Sequence, residues 1–253
     1  MKFLIIAKNT FKEVIRDKIL YNILFFAILI IGFSVLLGKL SLGEQLKMIK
    51  DMGLSCISLF GTIIAIFVGI SLVFKEIDKK TIYTIIAKPV SRKQFLLGKF
   101  LGLILVLLIN VLIMSAGVLL VILGISGTFE WNLLNAIFLI FIELMVITSI
   151  AVLFSTFSTP FLSGIFTLAF FIIGHLSEDI KKLGEKSNGL VKFLTSAVYY
   201  ILPNLDNFNI KGKVVYDQPV GIEFYAFSIA YGLLYIILIM TIAVLIFDRR
   251  DFK

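Results

Sequence analysis

The residues that could do chemistry are few, and they lie inside long apolar runs. Glu143 is the sole acid within such a run, and Asn22 and Asn110 are amides in two others. A carboxylate in hydrocarbon is costly unless it is protonated, paired or in contact with water. Glu143 is therefore a candidate either for contact with cargo or protons, or for an interhelical hydrogen bond to Asn110 or Thr148. The two amides are predicted mainly to join packed helices.

No catalytic or metal-binding set emerges from the other residues. His175 is the only histidine and Cys56 the only cysteine, so neither a Cys/His pair nor a Ser/His/Asp arrangement has support. His175 is predicted to be an interfacial residue at the end of an apolar run. Met48 and Met52 could hold Cu(I) only with a third soft ligand, and we interpret them as one face of a short helix. The sequence also has no G-x-x-x-x-G-K-[ST] phosphate loop, so no cofactor is expected on this chain.

The composition places these residues in a membrane. The chain has 253 residues, of which 60% are hydrophobic and 16% charged, whereas soluble domains carry about 25% charge. Six apolar runs are long enough, or nearly so, to cross about 30 Å of hydrocarbon as helices. They are residues 19–37, 54–74, 100–124, 133–154, 161–176 and 224–247. The predicted fold is a single all-α transmembrane domain over residues 1–253 with six transmembrane helices.

The distribution of Lys and Arg predicts the orientation. Six spans put both chain ends on one side, and that side carries every arginine and most of the lysines. Because cytoplasmic loops are enriched in these residues, both termini are predicted to be cytoplasmic, with the chain in the cytoplasmic membrane. The net charge of +8 lies between apolar runs and not on one folded surface, which argues against a nucleic acid partner.

Two further helices are predicted outside the spans. Residues 1–18 separate apolar from basic side chains at helical spacing, which predicts an amphipathic helix in the headgroup layer of the bilayer. In the long external loop, residues 177–223, an apolar stripe beginning at Leu190 predicts a helix that Pro203 ends. We expect this helix to rest on the membrane or to cap the bundle. Residues 204–220 are rich in Asn, Asp, Gly and Pro, which predicts loop.

The connection between the second and third spans, residues 75–99, is the most informative segment. The second span can continue into it as a helix, which Pro89 must end. Ser91 and Gln94 have the spacing of a capping box, so a new helix is predicted from Arg92. The two helices and the turn between them are here called the elbow. Before the turn, Ile82, Ile85 and Ile86 form an apolar stripe among cations. Such a stripe suits docking into a groove of a soluble partner, although a basic loop that only sets topology would have a similar composition.

Several residues in and near the elbow match a known pattern. They are Glu76, Thr81, Ala87-Lys88-Pro89-Val90-Ser91-Arg92, Gly98-Lys99 and Leu202-Pro203-Asn204-Leu205. With them the chain resembles the membrane (permease) subunits of ABC transporters of the type-2 export class. In particular it resembles the permeases grouped with copper-enzyme maturation systems. The resemblance covers nearly the whole chain.

The resemblance implies a non-catalytic permease that exports a substrate using ATP hydrolysed elsewhere. The elbow would contact a separate P-loop ATPase subunit holding ATP and Mg, and two membrane subunits would pair, as a homodimer or with a homologous permease. The implied coupling residues are Glu76, Thr81, Ile82, Ile85, Ile86, Pro89, Ser91 and Arg92. Two other interpretations of the sequence stay open, a membrane scaffold that transports nothing and an ATP-independent transporter.

Overall fold

The structure is a computed structural model that describes residues 2–41, 43–78, 91–186 and 189–249. Within these ranges the regular structure is helical throughout. The elements are α1 (Lys2–Ile15), α2 (Lys18–Leu40), α3 (Gln45–Asp78), α4 (Arg92–Ser126), α5 (Trp131–Phe157), α6 (Pro160–His175), α7 (Ser177–Glu185), α8 (Leu190–Ile201), a 3-10 turn (Leu205–Phe208), α9 (Lys211–Val215) and α10 (Ile222–Arg249).

The helix lengths confirm an all-α integral membrane protein. In the described part of the chain, five helices are long and apolar enough to cross a membrane, namely α2, α3, α4, α5 and α10. Each contains one predicted span. The fifth predicted span, residues 161–176, takes a different form. It corresponds to α6, which is about 24 Å long and bends by 58° into α7.

One contact fixes the direction of the last helix. Arg92 Nη1 donates to the carbonyl oxygens of Phe247 and Asp248 at 3.2 and 2.9 Å. The beginning of α4 and the end of α10 therefore lie at the same end of the bundle, here called the terminal end. The opposite end, where α3 and α5 begin, is here called the far end. The chain must pass from the terminal end to the far end between α5 and α10, and α6 with α7 begins that passage.

The centre of the bundle is formed by α3 and α5, which run parallel and are mostly buried, whereas α2 and α10 are mostly exposed. Gly61 and Gly69 of α3 permit the close approach. A Cβ at Gly61 would lie 2.5 Å from Leu144 Cδ1, and one at Gly69 would lie 2.8 Å from Ala151 Cβ. Small residues at such crossings are typical of membrane helices, whose association depends on close packing.

The N-terminal amphipathic helix is fixed to the bundle by the first turns of α4. A Cβ at Gly98 would lie 2.9 Å from the Phe3 carbonyl oxygen, and one at Gly102 would lie 2.7 Å from the Ala7 carbonyl oxygen. The buried Lys99 adds an ion pair to Glu13 of α1, with Nζ 3.5 Å from Oε2. The helix therefore packs directly on α4, in addition to any contact with headgroups.

The prediction of loop for residues 204–220 is wrong for much of that stretch. It contains the 3-10 turn and α9, and Leu205, Phe208 and Ile210 are buried in the core. The polar residue Asn204 serves as a cap, since its Oδ1 accepts from the Asp206 backbone N–H at 3.1 Å. A cap satisfies the backbone of a short turn, which allows the apolar residues between the polar ones to enter the bundle.

The helix α8 has the bounds that its apolar stripe and Pro203 predict. None of its residues is buried, and it packs mainly on α7. Large apolar side chains such as Phe193 are exposed. The helix therefore does not cap the centre of the bundle, and its contact with the membrane stays a prediction.

Candidate functional site

Most predicted coupling residues lie outside the described residues. These are Thr81, Ile82, Ile85, Ile86 and Pro89. Glu76 belongs to α3, which continues to Asp78, so the second predicted span does extend as a helix beyond its apolar run. Ser91 and Arg92 mark where the chain is described again, at the start of α4.

Ser91 caps α4 in the way that its spacing to Gln94 predicts. Its backbone is extended, with φ −72° and ψ 149°, and its Oγ accepts from the Gln94 backbone N–H at 3.3 Å. Such a cap satisfies one of the free N–H groups of the first turn. The cap fixes the point at which the connection becomes a rigid helix.

Arg92 contacts the last turn of α10. Its guanidinium bonds the carbonyl oxygens of Phe247 and Asp248, which are among those that a helix C-terminus leaves unsatisfied. The rings of Phe95 and Phe247 stack nearby, with centroids 6.0 Å apart and planes at 16°. One turn of α4 thus holds the end of α10 by both polar and aromatic contacts.

A second group of polar residues lies deep in the bundle around Glu143. Glu143 is 1% exposed, and its Oε1 lies 2.9 Å from His175 Nε2. On the other side of the imidazole, Nδ1 lies 3.7 Å from Asp206 Oδ1. Glu143 Oε2 is buried without a hydrogen-bond partner among the described residues. The three side chains, here called the acid–imidazole–acid cluster, join α5, α6 and the 3-10 turn.

The predicted partners of Glu143 are wrong. Asn110 Nδ2 donates to the Val106 carbonyl at 2.8 Å, and Thr148 Oγ1 donates to the Leu144 carbonyl at 2.7 Å. Both side chains therefore bond to their own helix one turn back, a common arrangement for polar residues within helices. The actual partner is His175, which the sequence placed at the membrane interface.

The short α6 explains why His175 reaches Glu143. Glu143 lies about 18 Å along α5 from Trp131 at the far end. Because α6 begins at the terminal end and is only about 24 Å long, its last residue, His175, stops at a similar depth. A cation is favoured at such a helix C-terminus. The shortness of the apolar run before His175 was the one signal in the sequence for this contact.

Two charged groups outside the spans, Asp206 of the cluster and the neighbouring Lys211, have shifted pKa values. Burial raises the pKa of the Asp206 carboxyl, and attraction to His175 opposes that shift. Burial lowers the pKa of the Lys211 ammonium on α9, and attraction to Glu143 and Asp51 opposes it. Attraction to an opposite charge therefore partly compensates the burial of each of these two groups.

Nearly the whole chain, residues 4–252, matches the family model described as ABC-2 family transporter protein. The chain belongs to this family. No curated protein matches it significantly. Membership confirms the type-2 ABC permease class that the elbow residues resemble, and it makes the chain a membrane component of a transporter. The likeness to the copper-enzyme maturation group stays a prediction.

The remaining polar residues of this ABC-2 family protein have different surroundings. Asn22 is exposed on α2, so it faces lipid or another subunit, and its predicted packing role is untested. At the far end Lys50, with a side chain 4% exposed, lies 3.1 Å from Glu130 Oε2 and 3.3 Å from Asp217 Oδ1. Sequence reasoning missed this ion-pair group, because its members are far apart in the chain. Among the described residues no group of three or more His, Cys, Asp or Glu side chains could hold a metal ion.

Proposed function

We propose that this ABC-2 family protein is the permease subunit of an ABC exporter in the cytoplasmic membrane. The observation that carries the proposal is the family match over residues 4–252. ABC-2 membrane components act with an ATPase, and the sequence has no phosphate loop of its own. ATP and Mg would therefore be bound by a separate P-loop subunit, and the permease would pair with a second membrane subunit.

The connection between α3 and α4 is the proposed dock for the ATPase. It joins two helices of about 50 Å each, so a push at this point tilts both helices. The contacts of Arg92 with Phe247 and Asp248 would pass part of that movement to α10. Nucleotide on the ATPase would thus bias a bundle with two arrangements, as coupling between distant sites requires. In this proposal both termini and the terminal end are cytoplasmic.

Purification in a mild detergent tests the proposal directly. The tagged chain is purified from its native cells, and the proteins that accompany it are identified by mass spectrometry. A stoichiometric P-loop ATPase is the expected result. Replacing residues 89–92 by a Gly/Ser stretch should remove that ATPase, whereas the same replacement at residues 218–221, a far-end connection, should retain it.

Other outcomes separate the alternatives. A chain that purifies alone, or with a partner lacking a nucleotide site, contradicts the ABC proposal and favours a scaffold. An ATPase that remains bound to the 89–92 variant contradicts the proposed dock while leaving the permease assignment intact. Transport by the reconstituted chain without any ATPase would favour an ATP-independent transporter.

A further inference from the structure

Side-chain exposure falls steadily along the acid–imidazole–acid cluster. Asp206 is 31% exposed, His175 is 23% exposed and Glu143 is 1% exposed. Asp206 belongs to the segment that enters the bundle from the far end, so the most exposed member of the cluster lies on that side. The cluster is therefore a row of three titratable groups that leads from the far side to Glu143, the most buried acid among the described side chains.

The geometry requires a proton within this row. At 2.9 Å, His175 Nε2 and Glu143 Oε1 must share a hydrogen. A doubly protonated imidazole also directs its Nδ1–H toward Asp206 Oδ1, 3.7 Å away. A neutral imidazole has only one N–H, so one carboxylate would then face a ring lone pair. With Glu143 buried and its Oε2 unpaired among the described residues, the cluster favours holding one proton more than a neutral imidazole between two carboxylates.

Charged groups on several elements face His175. Glu143 approaches from α5, Asp206 from the 3-10 turn and Lys211 from α9. Two further acids act on the cluster through these groups: Glu178 of α7 acts on Asp206, and Asp51 of α3 acts on Lys211. Four acids therefore face two bases, and loss of the His175 proton leaves Lys211 as the one cation among these named groups.

We propose that Glu143, His175 and Asp206 form a proton-binding site open to the far side of the bundle, and that the bound proton holds the 3-10 turn (Leu205–Phe208) against α6. The proton is taken from far-side water and returned to it, and no other ligand or co-reactant takes part. The site depends only on this chain. It is therefore independent of the proposed partnership with an ATPase.

Loss of the proton loosens the turn without releasing it. Two hydrogen bonds to α10 remain, from Ser228 Oγ to the Asn207 carbonyl at 2.7 Å and from the Asn204 backbone N–H to the Tyr231 hydroxyl at 2.8 Å. The buried Phe208 also stays packed. The expected change is thus a higher frequency of local opening around the turn as the imidazole loses its proton.

Thiol accessibility beneath the turn measures that opening. Ser228 is fully buried and bonds the turn, so Ser228→Cys in a Cys56→Ala background places a small reporter there. The thiol is a weaker donor than the hydroxyl, and it weakens this one bond equally in every variant compared. The purified chain is held in zwitterionic nanodiscs without an ATPase, and labelling by a charged maleimide is followed from about pH 5 to 9, around the usual imidazole pKa. Gln218→Cys, at an exposed site, corrects for the pH dependence of thiol reactivity. The corrected rate should rise about threefold with pH, as expected for loss of one partly exposed ion pair between the imidazolium and Asp206.

Variants of the cluster test which of its side chains cause the pH dependence of the labelling rate. In His175→Gln the corrected rate should be high and independent of pH. In Glu143→Gln, which keeps the side-chain shape, the midpoint should fall by about one pH unit because the bound proton loses one of its two acidic neighbours. Glu185→Gln, an exposed carboxylate on α7, should behave as the unaltered chain. A rate independent of pH in the unaltered cluster would overturn the proposal, as would a midpoint that Glu143→Gln leaves in place.

Discussion

The crossing of α1 over α4 offers a test of the packing at the terminal end. At Gly102 a Cβ would lie 2.6 Å from Thr10 Cβ and 2.7 Å from the Ala7 carbonyl oxygen. Carbon atoms in good contact are about 3.5–4 Å apart, so Gly102→Ala requires a shift of about 1 Å. Because one clashing atom belongs to the backbone, no rotamer change removes the clash. The whole of α1 must move.

The expected change in the free energy of unfolding follows from two opposing effects. Overpacking of this kind costs about 1–3 kcal/mol, whereas Gly→Ala in an unobstructed helix gains up to about 1 kcal/mol. Gly117→Ala isolates the second effect, since Gly117 is in the same helix and has no atom within 4 Å of its Cβ position. We therefore expect the free energy of unfolding of Gly102→Ala to fall about 2 kcal/mol below that of Gly117→Ala.

Equilibrium unfolding in mixed micelles measures that difference, and limited trypsin cleavage after Arg16 shows whether α1 has separated. Arg16 lies between α1 and α2, so cleavage there should be faster in Gly102→Ala and unchanged in Gly117→Ala. Equal stability of the two variants, or equal cleavage, would refute the close packing of α1 on α4.

Three further outcomes follow from the polar contacts. Arg92→Ala should lower the free energy of unfolding by about 1–2 kcal/mol, because two carbonyl oxygens lose their donor, and Arg92→Lys should recover part of it in the same denaturation assay. Lys50→Met should cost about 1 kcal/mol by thermal unfolding, well below the value for a fully buried pair, because its acidic partners are exposed enough to hydrate. For Asp206, whose pKa burial raises, the folded chain binds the proton more tightly than the unfolded chain. Stability should therefore fall as the pH rises from the ordinary carboxyl range through the raised pKa, and a melting series should show this fall in the unaltered chain but not in Asp206→Asn.

Much of the bundle could be predicted because the sequence patterns that determine its helices are local. Continuous apolar runs and the membrane thickness determine where helices can cross, and the spacing of Ser91 and Gln94 determines where α4 begins. The bounds of α8, Leu190–Ile201, follow from an apolar stripe and the proline after it. In each case the residues that decide the structure are neighbours along the chain.

The acid–imidazole–acid cluster could not be predicted in the same way. Glu143, His175 and Asp206 belong to three elements, and their meeting depends on where the short α6 stops. The composition of residues 204–220 was also misleading, because Asn204 caps a turn in a segment whose apolar side chains enter the core. Composition alone does not distinguish polar residues that face water from polar residues that cap buried turns.

The unbroken helix α3 connects the proposed ATPase dock with the ion pairs at the far end. The helix runs without a break from Gln45 at the far end to Asp78, next to the proposed dock, and is about 51 Å long. Near its middle, Gly61 contacts Leu144 of α5 closely, so a tilt of α3 pivots there and moves its two ends in opposite directions. The far end of α3 carries Lys50, which holds Glu130 and Asp217. Movement at the dock would therefore strain the far-end ion pairs beside the segment that bears Asp206, so the two ends of the bundle can be coupled through one rigid helix.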